Sequence, residues 1–235
     1  MSIIGKIWSQ RWIMRSIFSS IWFNFHYLPF KQAVKLPILL YKPKLLRCQG
    51  TISIESDKVK FGLIKLGKYN VSIYPNSGII YENKGGSIVF KGKCNIGNNS
   101  AISIGKSGSV IFGDRFVATS TMKLVSYNKI VFGERVRIGW ESLVMDTDMH
   151  RLTKVDGGYS KGYGDIIIGD NNWFGTKCTI FKNTVTPNYA IFASGSITNR
   201  RFDYPEYSLI GVSNKLEVKA SGIWRDIDND VIEYR

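Results

Sequence analysis

A ladder of residues, nearly all apolar, that are followed by glycine or spaced six apart, with polar residues between them, constrains this chain more than anything else in it. Its rungs are Ile96-Gly97, Ile102, Phe112-Gly113, Phe132-Gly133, Ile138-Gly139, Val144, Ile168-Gly169, Phe174-Gly175, Ile180, Thr186 and Phe192. The step is too short for heptads or for the thirty-odd-residue units of helical arrays. It predicts a parallel β-helix, whose coils stack around one apolar column, with three steps to a coil. Each step is then a short strand and a turn, with the apolar residue inside and the other positions facing solvent. The glycine after each apolar residue is expected at a corner, where it tolerates positive φ. An antiparallel sandwich would also accommodate 23 glycines, but it needs sustained alternation and hairpin turns in place of a six-residue step.

At 235 residues and 44% hydrophobic, the chain can bury one sizeable core. The expected organisation is a basic, aromatic-rich helical segment over 1–50, the coils over 51–198 with a loop extruded at 151–164, and a closing tail over 199–235. The fold class is thus all-β, with one helical appendage. Cys48, Cys94 and Cys178 are odd in number and scattered, which argues for reduced thiols in the cytoplasm and against a disulfide framework or structural zinc. The repeat region holds a single histidine, so a three-histidine zinc site is not expected. Arg11 and Arg15 interrupt the apolar N-terminus and no small-residue cleavage site follows, so no signal peptide is expected.

The net charge of +14 is unevenly placed. Up to Gly50 the chain carries Lys6, Arg11, Arg15, Lys31, Lys35, Lys42, Lys44 and Arg47 but no Asp or Glu, together with nine aromatics. Ile4, Ile7, Trp8, Met14, Ile17, Phe18, Ile21, Trp22 and Phe25 recur at helical spacing, with Lys6, Ser9, Gln10, Ser16, Ser19 and Ser20 between them. This predicts an amphipathic helix ending before Pro29. Two uses fit it. Cations and aromatics on one helix suit peripheral contact with an anionic membrane, and the open end of a β-helix needs a cover. No run reaches the roughly 18 apolar residues that span a bilayer. The rest of the chain carries no nucleic-acid-binding motif.

His150 is one of two histidines and closes the stretch Val144-Met145-Asp146-Thr147-Asp148-Met149-His150. Arg151 to Gly164 follows, rich in glycine and poor in apolar residues, and reads as an extruded loop beside a candidate site. An imidazole next to carboxylates is suited to general-base work. Asp146 and Asp148 lie on the same side of a strand, so both are candidates to hold the ring. Counting sixes from Ile138 and Val144 places His150 on the inward register, unless the register breaks where the loop begins.

These residues carry a family resemblance. Asp165-Ile166-Ile167-Ile168-Gly169-Asp170-Asn171-Asn172-Trp173-Phe174-Gly175 resembles the hexapeptide-repeat acyltransferases, in the branch of galactoside, maltose and capsule-type sugar O-acetyltransferases. Asp146 to His150 is similar to that branch's active-site motif. Ile191-Phe192-Ala193-Ser194-Gly195-Ser196-Ile197-Thr198 resembles its last coil, and Gly211-Val212-Ser213-Asn214-Lys215 its closing element. The resemblance runs from about Phe112 to Lys219. It departs from the family pattern at Thr186-Pro187-Asn188-Tyr189 and at Ser213-Asn214.

The resemblance implies a left-handed parallel β-helix, a homotrimer, and acetyl-CoA bound between subunits as acyl donor, with no metal. It implies that Trp173, Thr176, Ser194, Gly195, Thr198 and Lys215 meet the donor; Arg200 and Arg201 are candidate partners for its phosphates by charge, and Trp140 and Tyr163 are candidates to meet the acceptor. The expected activity is acetyl-CoA-dependent O-acetylation of a sugar hydroxyl in a bacterial surface polysaccharide or its precursor. The setting is cytoplasmic, at the inner face of the membrane if the helix binds lipid. The rivals are N-acetylation of an amino sugar and a non-catalytic β-helix assembly protein.

Overall fold

A computed structural model of the chain describes residues 16–150, 161–212 and 216–221. Among them, three parallel sheets of nine, seven and five strands form the faces of a prism. The first face is built from β1 (Ile38–Leu40), β4 (Ile64–Lys68), β7 (Cys94–Gly97), β10 (Phe116–Ala118), β13 (Arg137–Ile138), β16 (Trp173–Phe174), β18 (Ile191–Phe192), β20 (Leu209–Val212) and β21 (Leu216–Ala220). The second takes β2 (Lys44–Cys48), β5 (Ile79–Asn83), β8 (Ser100–Ile104), β11 (Lys123–Ser126), β14 (Leu143–Met145), β17 (Thr179–Phe181) and β19 (Ile197–Thr198). The third takes β3 (Thr51–Ile54), β6 (Ser87–Phe90), β9 (Ser109–Phe112), β12 (Lys129–Phe132) and β15 (Ile166–Ile168). The chain visits the faces in rotation, as a left-handed parallel β-helix does.

Parallel in-register pairing stacks like side chains. Phe90, Phe112 and Phe132 fall on successive third-face strands, with ring centroids 5.2 and 5.5 Å apart. Phe174 stacks on Phe192 at 4.5 Å. Burying each such ring is worth about 1.5–3 kcal/mol. The coil length is not constant. The step is 22 residues from Cys94 to Phe116, 20 from Val117 to Arg137, 36 from Arg137 to Trp173, and 18 from Trp173 to Ile191. The strict triple hexapeptide therefore holds only in the last coils, and the extra residues elsewhere lie at corners.

The ladder glycines serve a different purpose from the one expected. Gly97, Gly113, Gly133, Gly139, Gly169 and Gly175 have no positive φ; the left-handed residue comes two places later, at Asn99, Arg115, Arg135, Glu141, Asn171 and Lys177. What forbids a side chain at the ladder glycines is the neighbouring coil. A Cβ on Gly97 would lie 1.8 Å from the Thr119 carbonyl oxygen, and one on Gly139 would lie 2.4 Å from that of Gly175. The departure at Pro187-Asn188-Tyr189 keeps the same corner, since Tyr189 takes φ 55°.

The coils also extend beyond 51–198. β1 and β2 pair in parallel with β4 and β5, so the stack opens at Ile38. β20 pairs with β18, so it reaches Val212, where β21 turns back antiparallel and closes it.

The described part of the N-terminal helix, α1 (16–27), and the short α2 (Phe30–Ala33) cover the first coil. The face that docks is the polar one. Ile38 donates its amide to Asn24 Oδ1 (3.0 Å) and accepts from Asn24 Nδ2 (2.7 Å). Leu40 donates to Ser20 Oγ (2.9 Å) and Lys42 to Ser16 Oγ (3.0 Å). Ser16, Ser20 and Asn24 thus act as the missing neighbour of β1, satisfying an edge that would otherwise leave backbone groups unpaired. Phe23, fully buried, packs edge-on against Tyr81 at 5.1 Å. His26 Nε2 bonds the Cys48 carbonyl (2.7 Å). The apolar stripe consequently faces outward, with Ile17, Phe18 (68% exposed), Ile21, Trp22 and Phe25 in the open, joined by Phe30 (72%).

Candidate active site

β14 carries the chain from the edge between the first and second faces to the edge between the second and third. Val144 lies inside the column, in register with Leu124 and Ile180. The alternation continues for one more inward residue before it breaks. Asp146 turns inward and is fully buried, accepting from Ser126 Oγ (2.7 Å), the Tyr127 amide (2.7 Å) and the Asn128 amide (3.0 Å). Its oxygens hold the corner of the preceding coil.

Residues 146–148 pair antiparallel with 162–164. Gly164 donates to the Asp146 carbonyl (3.0 Å), Asp148 donates to that of Gly162 (2.7 Å), and Thr147 is bridged to Tyr163. This ribbon is the base of the excursion, whose residues 151–160 lie outside the described set. Met149 takes φ 61°, and its amide donates to Thr147 Oγ1 (3.0 Å), forming a tight turn. His150 emerges from that turn exposed to solvent. The inward register counted from Ile138 does not reach it, because Asp146 and the ribbon end the six-residue step. Asp148 is exposed as well and forms a salt bridge with Lys182 of the next coil. Both carboxylates proposed to orient His150 therefore have other partners, one structural and one cationic.

The residues implied for the acyl donor gather elsewhere. Thr176 Oγ1 donates to the Trp140 carbonyl (3.0 Å), the Thr176 amide donates to Ser194 Oγ (3.1 Å), and Gly195 donates to the Thr176 carbonyl (2.9 Å). Trp140, Thr176, Ser194 and Gly195 thus form one column on the edge between the first and second faces. Ser194 and Gly195 are exposed, Gly195 has φ 77°, and nothing lies within 4 Å of where its Cβ would be. Trp140, expected to meet the acceptor, belongs to this column. Tyr74 packs on its ring at 6.0 Å and donates to Glu141 (2.6 Å), drawing the loop between β4 and β5 across the corner.

Thr198 does not join the column. It is fully buried and accepts from Thr184 Oγ1 (3.1 Å), so its hydroxyl is unavailable to a ligand. Trp173 stands on the outside of the first face between Arg137 and Ile191. Arg200 is exposed and lies over the Phe202 ring at 5.3 Å, while Arg201 is 3.9 Å from Asp203. Tyr163 is half exposed, with Lys161 over its ring at 4.8 Å. Lys215 lies outside the described residues. Among those described, no three His, Cys, Asp or Glu side chains gather where they could hold a metal ion.

Sequence reasoning missed Lys182. The salt bridge joins residues 34 apart, and only the folded coil length brings them together. Burial pushes the Cys178 thiol up to about 11 and raises that of Cys94 as well, which leaves neither suited to be a nucleophile.

No protein-family model matches the chain, and no curated protein matches it. Solved structures do. The polysialic-acid O-acetyltransferase OatWY aligns with a TM-score of 0.55 at 16% identity, covering 82% of this chain and 92% of its own. The polysialic-acid-specific acetyltransferase NeuO aligns at 0.50 and 18%, covering 80% and 91%. A hexapeptide-repeat acetyltransferase from Vibrio cholerae, crystallised with acetyl-coenzyme A, aligns at 0.38 and 13%, covering 88% and 85%. The first two likenesses establish a shared fold. The chain has the architecture of the hexapeptide-repeat β-helices, over almost the full length of both those proteins.

Proposed function

We propose that the chain is an acetyl-CoA-dependent O-acetyltransferase acting on a sugar hydroxyl of a bacterial surface polysaccharide or its precursor. The observation that carries this reading is the exposed His150, set at the mouth of a ribbon closed by 146–148 and 162–164, on a fold shared with two polysialic-acid acetyltransferases. A neutral imidazole is basic enough to take the proton of the acceptor hydroxyl as its oxygen bonds to an acyl carbonyl. The same imidazolium then returns that proton to the departing sulfur. Of the two carboxylates, the exposed Asp148, which also pairs with Lys182, is the one placed to stabilise the imidazolium, because Asp146 is buried in the corner at Ser126. Acetyl-CoA supplies the activated acyl carbonyl and a thiolate leaving group. Thr176, Ser194 and Gly195 offer exposed polar groups and open space to its arm, Trp173 flanks them, and Arg200 suits its phosphates.

His150 and the Thr176 column lie beyond opposite ends of β14, a three-residue strand about 10 Å long at about 3.3 Å per residue. The reading includes a homotrimer, in which a neighbouring copy of the chain would carry its donor column to His150. The outward stripe of α1, in a segment without a carboxylate before Glu55, favours peripheral contact with anionic lipid. No described helix is long and apolar enough to cross a membrane. Such contact would place the enzyme at the inner face of the cytoplasmic membrane.

The test is thiol release from acetyl-CoA, with a panel of polysaccharides, by wild type and His150→Ala. Loss of roughly 10²–10⁴-fold in acceptor-dependent release is expected. Undiminished release by the variant overturns the assignment.

A further inference from the structure

On the edge between the third and first faces, away from both His150 and the Thr176 column, a groove of about 800 Å³ runs beside the early coils. Its cations are Lys58 and Lys60 from the turn after β3, Lys65 on β4, Lys91 and Lys93 at the turn into β7, and Arg115 at the turn into β10. They come from three successive coils, since Cys94, next to Lys93, pairs with Ile64 on one side and Phe116 on the other. At about 4.8 Å per coil, the charges follow the long axis of the prism.

Four carboxylates also line the groove, but they do not neutralise it. Asp114 accepts from the Lys93 amide (2.7 Å) and lies 3.7 Å from Arg115, while Glu55, Asp57 and Glu134 are exposed. Among the described residues, no ion pair takes Lys58, Lys60, Lys65, Lys91 or Lys93. Burial, and then the like charges of Lys68 and Lys93, hold the Lys65 ammonium below the ordinary lysine range. Six cations against four carboxylates leave the groove net positive, and cations crowded along it favour anions spaced along a line.

We propose that this groove binds a carboxylate-bearing polysaccharide chain, so that the acceptor is an anionic polymer held at a site separate from the one where it reacts. The inference rests on the O-acetyltransferase reading. A single sugar cannot occupy both the groove and the surroundings of His150, whereas a chain spans them. A bilayer is disfavoured as the occupant because the cations run along the side of the prism, whereas the apolar stripe of α1 lies at its end. Only Phe61 is shared between the groove and the apolar hollow beside α1.

The test uses the full chain without acetyl-CoA. Binding of fluorescently labelled polysialic acid and polygalacturonate is compared with that of neutral dextran, for wild type, Lys65→Gln/Lys93→Gln and Lys58→Gln/Lys60→Gln, with folding checked by circular dichroism. The second pair lies on an exposed turn and guards against misfolding of the first. A roughly tenfold rise in Kd for both acidic polymers, at low salt, is expected in either pair. Dextran should bind none of the proteins. Unchanged polymer binding in both lysine pairs overturns the proposal. So does loss of sedimentation with phosphatidylglycerol vesicles while polymer binding persists, which makes the groove a headgroup site. If the lysine pairs lose polymer binding but His150→Ala still releases thiol, the groove stands and the reaction reading falls.

Discussion

Replacing Asp146 with alanine separates two roles for a carboxylate four residues before the candidate base. If Asp146 oriented His150, the variant would fold normally and lose activity. The structure assigns it instead to the corner at Ser126, Tyr127 and Asn128. The Ser126 hydroxyl has a second acceptor in the Ser109 carbonyl (3.4 Å), so its loss is partly offset. The amides of Tyr127 and Asn128 are left without their acceptor. At about 1–3 kcal/mol for each orphaned donor, and toward the lower end for part-buried ones, the cost is about 3 kcal/mol. In a chain of this size that lowers Tm by roughly 6–12 °C. Asp146→Asn should lie between the two, because its amide nitrogen would face a donor. Thermal unfolding by circular dichroism, alongside turnover per folded molecule, reads both quantities. An Asp146→Ala protein that melts within a degree or two of wild type but is catalytically dead would refute this reasoning.

Gly97→Ala sets a methyl group 1.8 Å from the Thr119 carbonyl and should either abolish soluble expression or lower Tm by more than 10 °C, roughly, since backbone must move; a neutral result would mean the coils part easily. Asn24→Ala strips the Ile38 amide and carbonyl of their partner, at about 2–4 kcal/mol, and should speed hydrogen exchange of Ile38 above all. The Tyr74 bond, and after it Lys177, hold the Glu141 carboxyl below its ordinary value of 4.5. A lowered folded value means that the contribution is present above 4.5 and lost as pH falls through the folded value, so exchange in residues 69–78 should quicken, relative to the rest of the chain, as pH is taken below 4.5; a flat profile would show that this bond does not pin the loop. At about pH 8 a thiol reagent should leave Cys178 unmodified in the native protein, because burial holds its thiol at about 11; prompt labelling would place it at the surface.

The ladder was legible because parallel in-register stacking repeats one side chain's environment from coil to coil, and Phe112 and Phe132 report that directly. The function of its glycines was not legible. A positive φ and a close neighbouring backbone both select glycine, and only the fold shows Thr119 standing over Gly97. The helix at 16–27 was readable as amphipathic, yet its polar stripe is the one that docks. Burying apolar surface is the usual reason for a helix to pack, but at the end of a coil the unpaired groups of β1 outweigh it. At the site, the sequence brought His150 and its loop together. It could not choose between Asp146 and Asp148, because both occupy the same side of a strand; the strand ends after Asp146, and the ribbon that carries Asp148 separates them. Thr198 fell to the same ambiguity, since a threonine hydroxyl serves the core beside Thr184 as well as it would serve a ligand.

Coils here range from 18 to 36 residues per turn, and apart from single-residue shifts at Leu45/Arg47 and Leu66/Lys68 their parallel strands keep register. Stacking is thus indifferent to what the corners carry. Material inserted at an edge leaves the stacked column in place, and the 69–78 loop is one such graft. Molecules of this design are free to acquire a new substrate preference by editing one corner at a time, with the hydrophobic column untouched and the thermodynamic debt confined to the new loop.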